Sequence, residues 1–248
     1  MPTDQRGNEL FFGDDVASRY DEDAADMFRP EVVDPVVDVL AELTGDGRAL
    51  EFAIGTGRIA IPLAERGVPV VGIDNSEHMA ARLRAKPAAK DIEVTIGDFS
   101  TTRVGGEFSL VYLVFNTIQN LVTQDAQIAC FENAAAHLRS GGRFVIETGV
   151  PSLQDLPRGQ TIVPFRADAG GLGFDVYDVV TQRFSSQHYT FTEDGIRAHT
   201  VEFRYVWPAE LDLMARIAGM TLENRWSNWQ REAFTAVSTS HVSVWQKP

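Results

Sequence analysis

Between residues 49 and 150 the chain alternates short apolar runs with stretches whose apolar residues recur every three or four positions. The runs Ala49–Ile54, Val68–Ile73, Ile92–Ile96, Phe108–Val114 and Arg143–Glu147 have the length and bulk of buried strands. Between them the pattern predicts helices over Gly57–Arg66, Ser76–Ala85 and Asp125–Leu138. The last puts Ile128, Phe131, Ala135 and Leu138 on one face, and Gly141-Gly142 is expected to end it. Strands and helices in strict alternation imply parallel βαβ units, with the sheet covered on both sides.

The flanks follow other patterns. Residues 1–48 read as an N-terminal helical cap, with a helix over Glu31–Leu40 that Pro35 interrupts in pattern and Thr44-Gly45-Asp46-Gly47 closes. Residues 49–150 form the α/β core. Residues 151–207 change to period-two runs of Val, Phe, Tyr and Thr, with turns at Gly170-Gly171 and Gly195, which predicts an antiparallel β insertion. Residues 208–248 return to a helix, opened by Pro208 and closed near Gly219, and two strands, Met220–Trp229 and Ser238–Lys247. Ser76 is placed to cap the helix that follows it.

Composition narrows the field. With 248 residues, 44% hydrophobic and 23% charged, the chain is that of an ordinary globular protein. No run approaches the ~20 apolar residues a membrane helix needs, and the first sixteen residues lack the basic-then-apolar order of a secretory signal. One cysteine, Cys130, excludes an intramolecular disulfide and any cysteine-rich metal cage, so the cytoplasm is the expected location and no metal site is expected. The net charge of −13 argues against a partner of phosphate backbones. Arg82, Arg84 and Lys86 read as a solvated face.

The chemistry lies in Glu51-Phe52-Ala53-Ile54-Gly55-Thr56-Gly57-Arg58-Ile59-Ala60, followed by Asp74 at the end of the second strand. Glycines where a strand passes into a helix allow a tight turn and close backbone approach, and an acid at the next strand end can accept from ribose hydroxyls. Gly55 to Ala60 also satisfies G-x-G-x-x-A, so a dinucleotide oxidoreductase is the competing reading. Three features weigh against it. Glu51 stands where a pyrophosphate would be repelled, Asp98-Phe99 offers an acid and a ring to an adenine, and there is no separate catalytic domain with a hydride-shuttling His or Tyr-x-x-x-Lys pair.

In order and spacing, Glu51-x-Ala53-x-Gly55-x-Gly57, Gly72-Ile73-Asp74-Asn75-Ser76, Gly97-Asp98-Phe99 and Leu138-Arg139-Ser140-Gly141-Gly142-Arg143-Phe144-Val145-Ile146-Glu147 resemble the successive motifs of class I S-adenosylmethionine-dependent methyltransferases. The resemblance covers residues 49–150, and the final helix and strand pair match the family's ending. Ser18-Arg19-Tyr20-Asp21 and the insertion after the fifth strand are similar to small-molecule N-methyltransferases of natural-product pathways, of the aminosugar, lincosamide and glycine N-methyltransferase type. Ala53 stands where many relatives have glycine. Val114-Phe115-Asn116-Thr117 is not the Asn/Asp-Pro-Pro-Tyr of enzymes that methylate nucleic-acid amines.

The resemblance implies a doubly wound, Rossmann-like α/β fold whose seven-stranded sheet ends in an antiparallel strand. It implies S-adenosylmethionine as cofactor, leaving as S-adenosylhomocysteine. Gly55 and Gly57, with Ala53, would lie under its methionine part; Asp74, with Asn75 and Met79 near it, would bind the ribose; Gly97, Asp98 and Phe99 would meet the adenine. Glu51 would bond either the loop amides or the cofactor's amino group through water. Phe115 and Asn116 end the fourth strand where the reactive methyl should lie, and Tyr20 and Arg29 in the cap would cover the sulfonium and carboxylate. Plainer readings stand beside these: a tight turn for the glycines, a helix cap for Asp74, core packing for Met79 and Tyr20, and an exposed surface position for Arg29.

For the acceptor side, Tyr177, Tyr189, Tyr205 and Trp207 are the candidate substrate residues, with His188 as candidate base or orienting group and Tyr20 a second. A structural role is the common one for such a histidine, and Trp226, Trp229 and Trp245 read as packing residues. The expected activity is methylation of a small-molecule amine by a monomer or homodimer, with no nucleic-acid or membrane partner. O-methylation, an NAD-dependent oxidoreductase and a non-catalytic cofactor-binding module are the alternatives.

Overall fold

A computed structural model describes residues 13–153 and 156–248; the first twelve residues of the expected cap lie outside it. Two short helices, α1 (Asp14–Ala17) and α2 (Tyr20–Asp23), precede the long α3 (Pro30–Thr44). Val33, Val36, Val37, Leu40 and Thr44 are buried along one stripe of α3, so the apolar period carries the helix through Pro35. Pro35 removes one backbone bond near the start, and helix formation extends four residues beyond the predicted end to Gly45, at φ +57°.

The core follows as β1 (Ala49–Phe52), α4 (Ala60–Glu65), β2 (Val70–Asp74), α5 (Glu77–Arg84), β3 (Glu93–Ile96), β4 (Phe108–Leu113), α6 (Gln124–His137) and β5 (Leu138–Gly149). After an excursion come α7 (Pro208–Ile217), β10 (Thr221–Trp226) and β11 (Ser240–Gln246). The seven-stranded sheet has the order β10-β11-β5-β4-β1-β2-β3. β1 to β5 pair in parallel, and β11 runs antiparallel between β5 and β10. Every residue of β1, β2 and β4 is buried, as expected of strands covered on both faces. One face packs against α3, α4 and α5 through Val37, Leu40, Leu63 and Leu83. The other packs against α6 and α7 through Phe131, Leu211 and Trp245.

Two further predicted boundaries differ for identifiable reasons. Helix α4 starts at Ala60, because Gly55 and Gly57 hold φ of +57° and +84° and cannot belong to a helix. Gly141-Gly142 does not end α6, which stops at His137. The pair lies within β5, in an excursion that shifts its register against β4 from Phe108↔Leu138 to Leu110↔Arg143. Ser76 caps α5 as expected, its hydroxyl accepting from Met79 N–H at 3.2 Å.

The insertion is a four-stranded antiparallel sheet, β6 (Ile162–Asp168), β7 (Gly171–Asp178), β8 (Arg183–Thr192) and β9 (Gly195–Arg204), in sequential order. Its last strand is fixed to the core by Arg204, 3% exposed, which donates to Gln127, Gln182 and Glu210. Gln127 donates in turn to the carbonyls of Ile118 and Arg204, joining this end of the insertion to the turn after β4. Among the described residues no helix is long and apolar enough to cross a membrane.

Candidate functional site

The strand order reverses between β1 and β4, so the two chains leaving their carboxyl ends diverge and leave a crevice. The segment after β1 turns on left-handed backbone at Ala53 (φ +55°), Gly55 and Gly57. Gly57 has no alternative, since a Cβ there would stand 2.3 Å from Leu83 Cδ1. Gly55 N–H donates to Asp74 Oδ2 at 2.7 Å and Ser76 N–H to Oδ1 at 2.8 Å. Each oxygen of this buried carboxylate thus keeps a lone pair for an incoming hydroxyl while the backbone fixes its plane. Burial raises the Asp74 pKa, and the two amide bonds oppose that rise. Asn75 beside it is exposed. At the end of β3, Gly97 N–H donates to the Asp74 carbonyl at 2.8 Å, and Asp98 Oδ1 accepts from both the N–H and the hydroxyl of Ser100 at 2.7 Å.

A narrow cleft of about 50 Å³ opens beside this loop, lined among others by Tyr20, Glu51, Arg58, Phe115 and Thr117. Glu51 is fully buried. It accepts from Tyr112 Oη–H at 2.8 Å and from the N–H of Ala60, the first residue of α4. Burial pushes its carboxyl up to about 8, against the pull of Tyr112 and Arg58. Burial also raises Tyr20, with Arg58 opposing, so the phenol is kept protonated. The Arg58 guanidinium lies 5.1 Å from the centre of the Phe115 ring. Asp21 ties the cap to the loop: Oδ1 accepts from the Thr56 hydroxyl at 2.6 Å, and Oδ2 pairs with Lys86 Nζ at 2.5 Å. Lys86 also donates to the Thr56 carbonyl at 2.8 Å, so it is a structural tie and not a solvated charge.

At the exit of β4, Phe115 and Asn116 are both left-handed, at φ +60° and +62°. Phe115 N–H donates to Glu147 Oε2 at 3.0 Å, and Gly149 N–H to Asn116 Oδ1 at 2.6 Å. Phe115 is 43% exposed and presents its ring to the cleft mouth.

The structure thus brings Tyr20, Glu51, Ala53, Gly55 and Phe115 to one cleft, with Asp74 bonded to its loop. Other candidates fall elsewhere. Arg29 caps α3 from an exposed position and pairs with Asp26 at 3.6 Å. Phe99 is buried with its ring 5.8 Å from that of Phe52, so its side chain belongs to the core, and its carbonyl accepts from Asn133 Nδ2 at 2.6 Å. Met79 is buried beneath the loop, its Cε at 3.5 Å from where a Gly55 Cβ would be. Tyr177 and Tyr205 are buried with Phe184 in a small aromatic core of the insertion, against which Trp207 packs. Tyr189 stacks on Phe174 instead. His188 stacks on His199 at 4.5 Å and bonds Ser186 Oγ at 3.1 Å. Its rung lies five residues, or ~17 Å of strand, from the anchored Arg183↔Arg204 rung, and it does not line the cleft. Burial, His199 and Arg166 all lower its pKa.

Sequence reasoning missed Arg58, Asp21, Lys86, Thr117 and Glu147. Arg58 occupies an open position of the glycine motif, and an arginine beside a buried acid was the available signal.

Residues 49–142 match a methyltransferase domain family. The cypemycin N-terminal methyltransferase of a Streptomyces species is 30% identical over 210 residues, 82% of this chain and 84% of that protein. The solved CcbJ methyltransferase of Streptomyces caelestis is 35% identical, with a TM-score of 0.83 over 95% of this chain and 97% of its own. CalS10 of Micromonospora echinaspora, an amino pentose methyltransferase of calicheamicin biosynthesis solved with S-adenosylmethionine, shares the fold at 20% identity and a TM-score of 0.65, over 86% of this chain and 89% of its own.

Proposed function

The chain belongs to the class I S-adenosylmethionine-dependent methyltransferases, and on that premise we propose that it N-methylates a small-molecule amine of a natural-product pathway, with the cleft at the β1/β4 switch point as its cofactor site. The observation that carries the assignment of the site is the Gly55–Asp74 bond. It fixes a carboxylate with free lone pairs beside a turn that passes through left-handed backbone at Gly55 and Gly57. Those two acceptor oxygens suit the paired hydroxyls of a ribose diol.

S-adenosylmethionine supplies a methyl group on positively charged sulfur, and the chain's residues bind, orient and dehydrate. In this reading Asp74 accepts from the ribose hydroxyls, and Asp98 accepts from the adenine amino group. Arg58 offers its guanidinium to the methionine carboxylate, in the role expected of Arg29. Tyr20 closes the cleft from the cap and Phe115 walls its outer end. An amine nucleophile with a free lone pair needs no placed strong base. Alignment and proximity supply ~7–11 kcal/mol of the barrier for such a displacement. The position of His188, away from the cleft and with a lowered pKa, supports a reaction that does not depend on it as a base. The cypemycin relative is an N-terminal methyltransferase and CalS10 an amino pentose methyltransferase, and both support the choice of nitrogen.

The test is methyl transfer from labelled S-adenosylmethionine to parallel panels of amines and of phenols and alcohols, with the product's methylated atom located by NMR. Transfer to nitrogen supports the proposal; transfer confined to oxygen overturns it. Asp74→Ala should abolish S-adenosylhomocysteine binding in calorimetry, and unchanged binding would move the site elsewhere.

A further inference from the structure

Phe115 and Asn116 form consecutive left-handed non-glycine residues, a backbone state that persists only where the surroundings impose it. Glu147, near the carboxyl end of β5, makes several of the bonds that impose it. Its Oε2 accepts from Phe115 N–H at 3.0 Å, and its own carbonyl accepts from Asn116 N–H at 3.2 Å. Its Oε1 accepts from the indole N–H of Trp229 at 2.8 Å, and Trp229 is 7% exposed. The same residue lines a hollow of about 200 Å³ with Glu31, Trp229 and Asn228. One side chain therefore joins the strained turn at the cleft, the loop between β10 and β11, and the neighbouring hollow.

We propose that Glu147 is a positioning residue for methyl transfer: its two carboxylate oxygens, one on Phe115 N–H and one on Trp229 Nε1–H, hold the turn that keeps the Phe115 ring over Arg58. This rests on reading the cleft as the cofactor site. The chemistry needs a carboxylate because two N–H donors converge on it. An amide of the same shape has one acceptor and one donor, so it satisfies one partner and opposes the other. Trp229, being buried, competes for that single acceptor with Phe115.

The experiment is a double-mutant cycle read by calorimetric binding of S-adenosylhomocysteine and by steady-state kinetics. E147Q should weaken binding and raise KM for S-adenosylmethionine about tenfold, the worth of one hydrogen bond to a charged group, with kcat within about threefold because the reacting atoms are untouched. In a W229F background the amide is free to accept from Phe115 N–H, so E147Q/W229F should bind as tightly as W229F. A merely structural Glu147 would lower Tm and the active fraction while leaving KM unchanged. The same tenfold loss in both backgrounds, or none in either, overturns the proposal. If E147Q does not fold, E147D is the variant to read: it keeps the charge but draws the carboxylate back by one methylene, so it cannot span both donors. Affinity equal to wild type in E147D would overturn the proposal. Asp74→Ala serves as the reference. If it binds normally, the site reading fails; if it loses binding while the Glu147 variants do not, only the clamp is refuted.

Discussion

Glu51 makes the stability of this protein depend on pH in a way that a single substitution isolates. Its carboxyl is fully buried against Tyr112 and the start of α4, and burial lifts it from 4.5 to about 8. Because the folded value lies above the unfolded one, folding takes up a proton. The stabilisation is complete below about pH 4.5 and is lost as the pH rises through about 8. Linkage at about 1.4 kcal/mol per tenfold change in protonation gives a loss of about 4 kcal/mol between pH 5 and pH 9, with about 2.5 kcal/mol of it gone by pH 7. Glu51→Gln keeps the size and removes the titration. Whatever fixed offset the amide introduces, the difference in unfolding free energy between the variant and the wild type should move in the variant's favour by that amount across the range. Urea unfolding followed by tryptophan fluorescence at each pH measures it, and subtraction cancels every other titrating group. Parallel curves for the two proteins would refute the reasoning and mean that Glu51 stays solvated enough to ionise normally.

The remaining predictions concern the candidate base, the turn and the insertion. His188→Ala should leave kcat within about threefold of wild type, since removal of a true general base costs ~10²–10⁴-fold; steady-state assays decide. Gly57→Ala drives a Cβ to 2.3 Å from Leu83 and strains a φ of +84°, so it should destabilise by about 2–4 kcal/mol in thermal unfolding and weaken S-adenosylhomocysteine binding. Arg204→Met strips a buried guanidinium from Gln127, Gln182 and Glu210; Glu210 keeps the Gln124 and Gln182 amides but loses its ion pair, at a cost of about 1.5–3 kcal/mol. Limited proteolysis should then cut within residues 157–206 before the core.

The α/β alternation, the β insertion and its glycine turns were legible because buried strands and amphipathic helices write different periods into the chain. The glycine turn was legible because its geometry is local: Gly55 and Gly57 fall between the end of β1 and the start of α4, and Asp74 ends β2. Gly141-Gly142 misled because a turn pair inside a strand looks the same in sequence as one that ends a helix. The helix boundary was set instead by the jump in register against β4. Arg29 and Arg58 could not be told apart from the sequence, since the choice depends on how the cap lies against the loop. Tyr177, Tyr205 and His188 look like pocket residues in a linear reading, and only strand pairing shows the first two facing Phe184 and the last facing His199. In the sequence Glu147 reads only as the end of a strand motif, because its partners Phe115 and Trp229 lie 32 and 82 residues away.

The double attachment of Asp21 bears on how quickly ligands are exchanged. The segment carrying Tyr20 covers the cleft, and one carboxylate, bridging Thr56 and Lys86, fastens it to the glycine loop. On the proposed reading of the cleft as the cofactor site, product departure requires this latch to open, and its ionic half is 30–40% exposed, where dissolved ions compete effectively. Residence time of the demethylated cofactor should therefore shorten as salt rises even where its equilibrium grip on Asp74 changes little, which would couple turnover to the ionic strength around the enzyme.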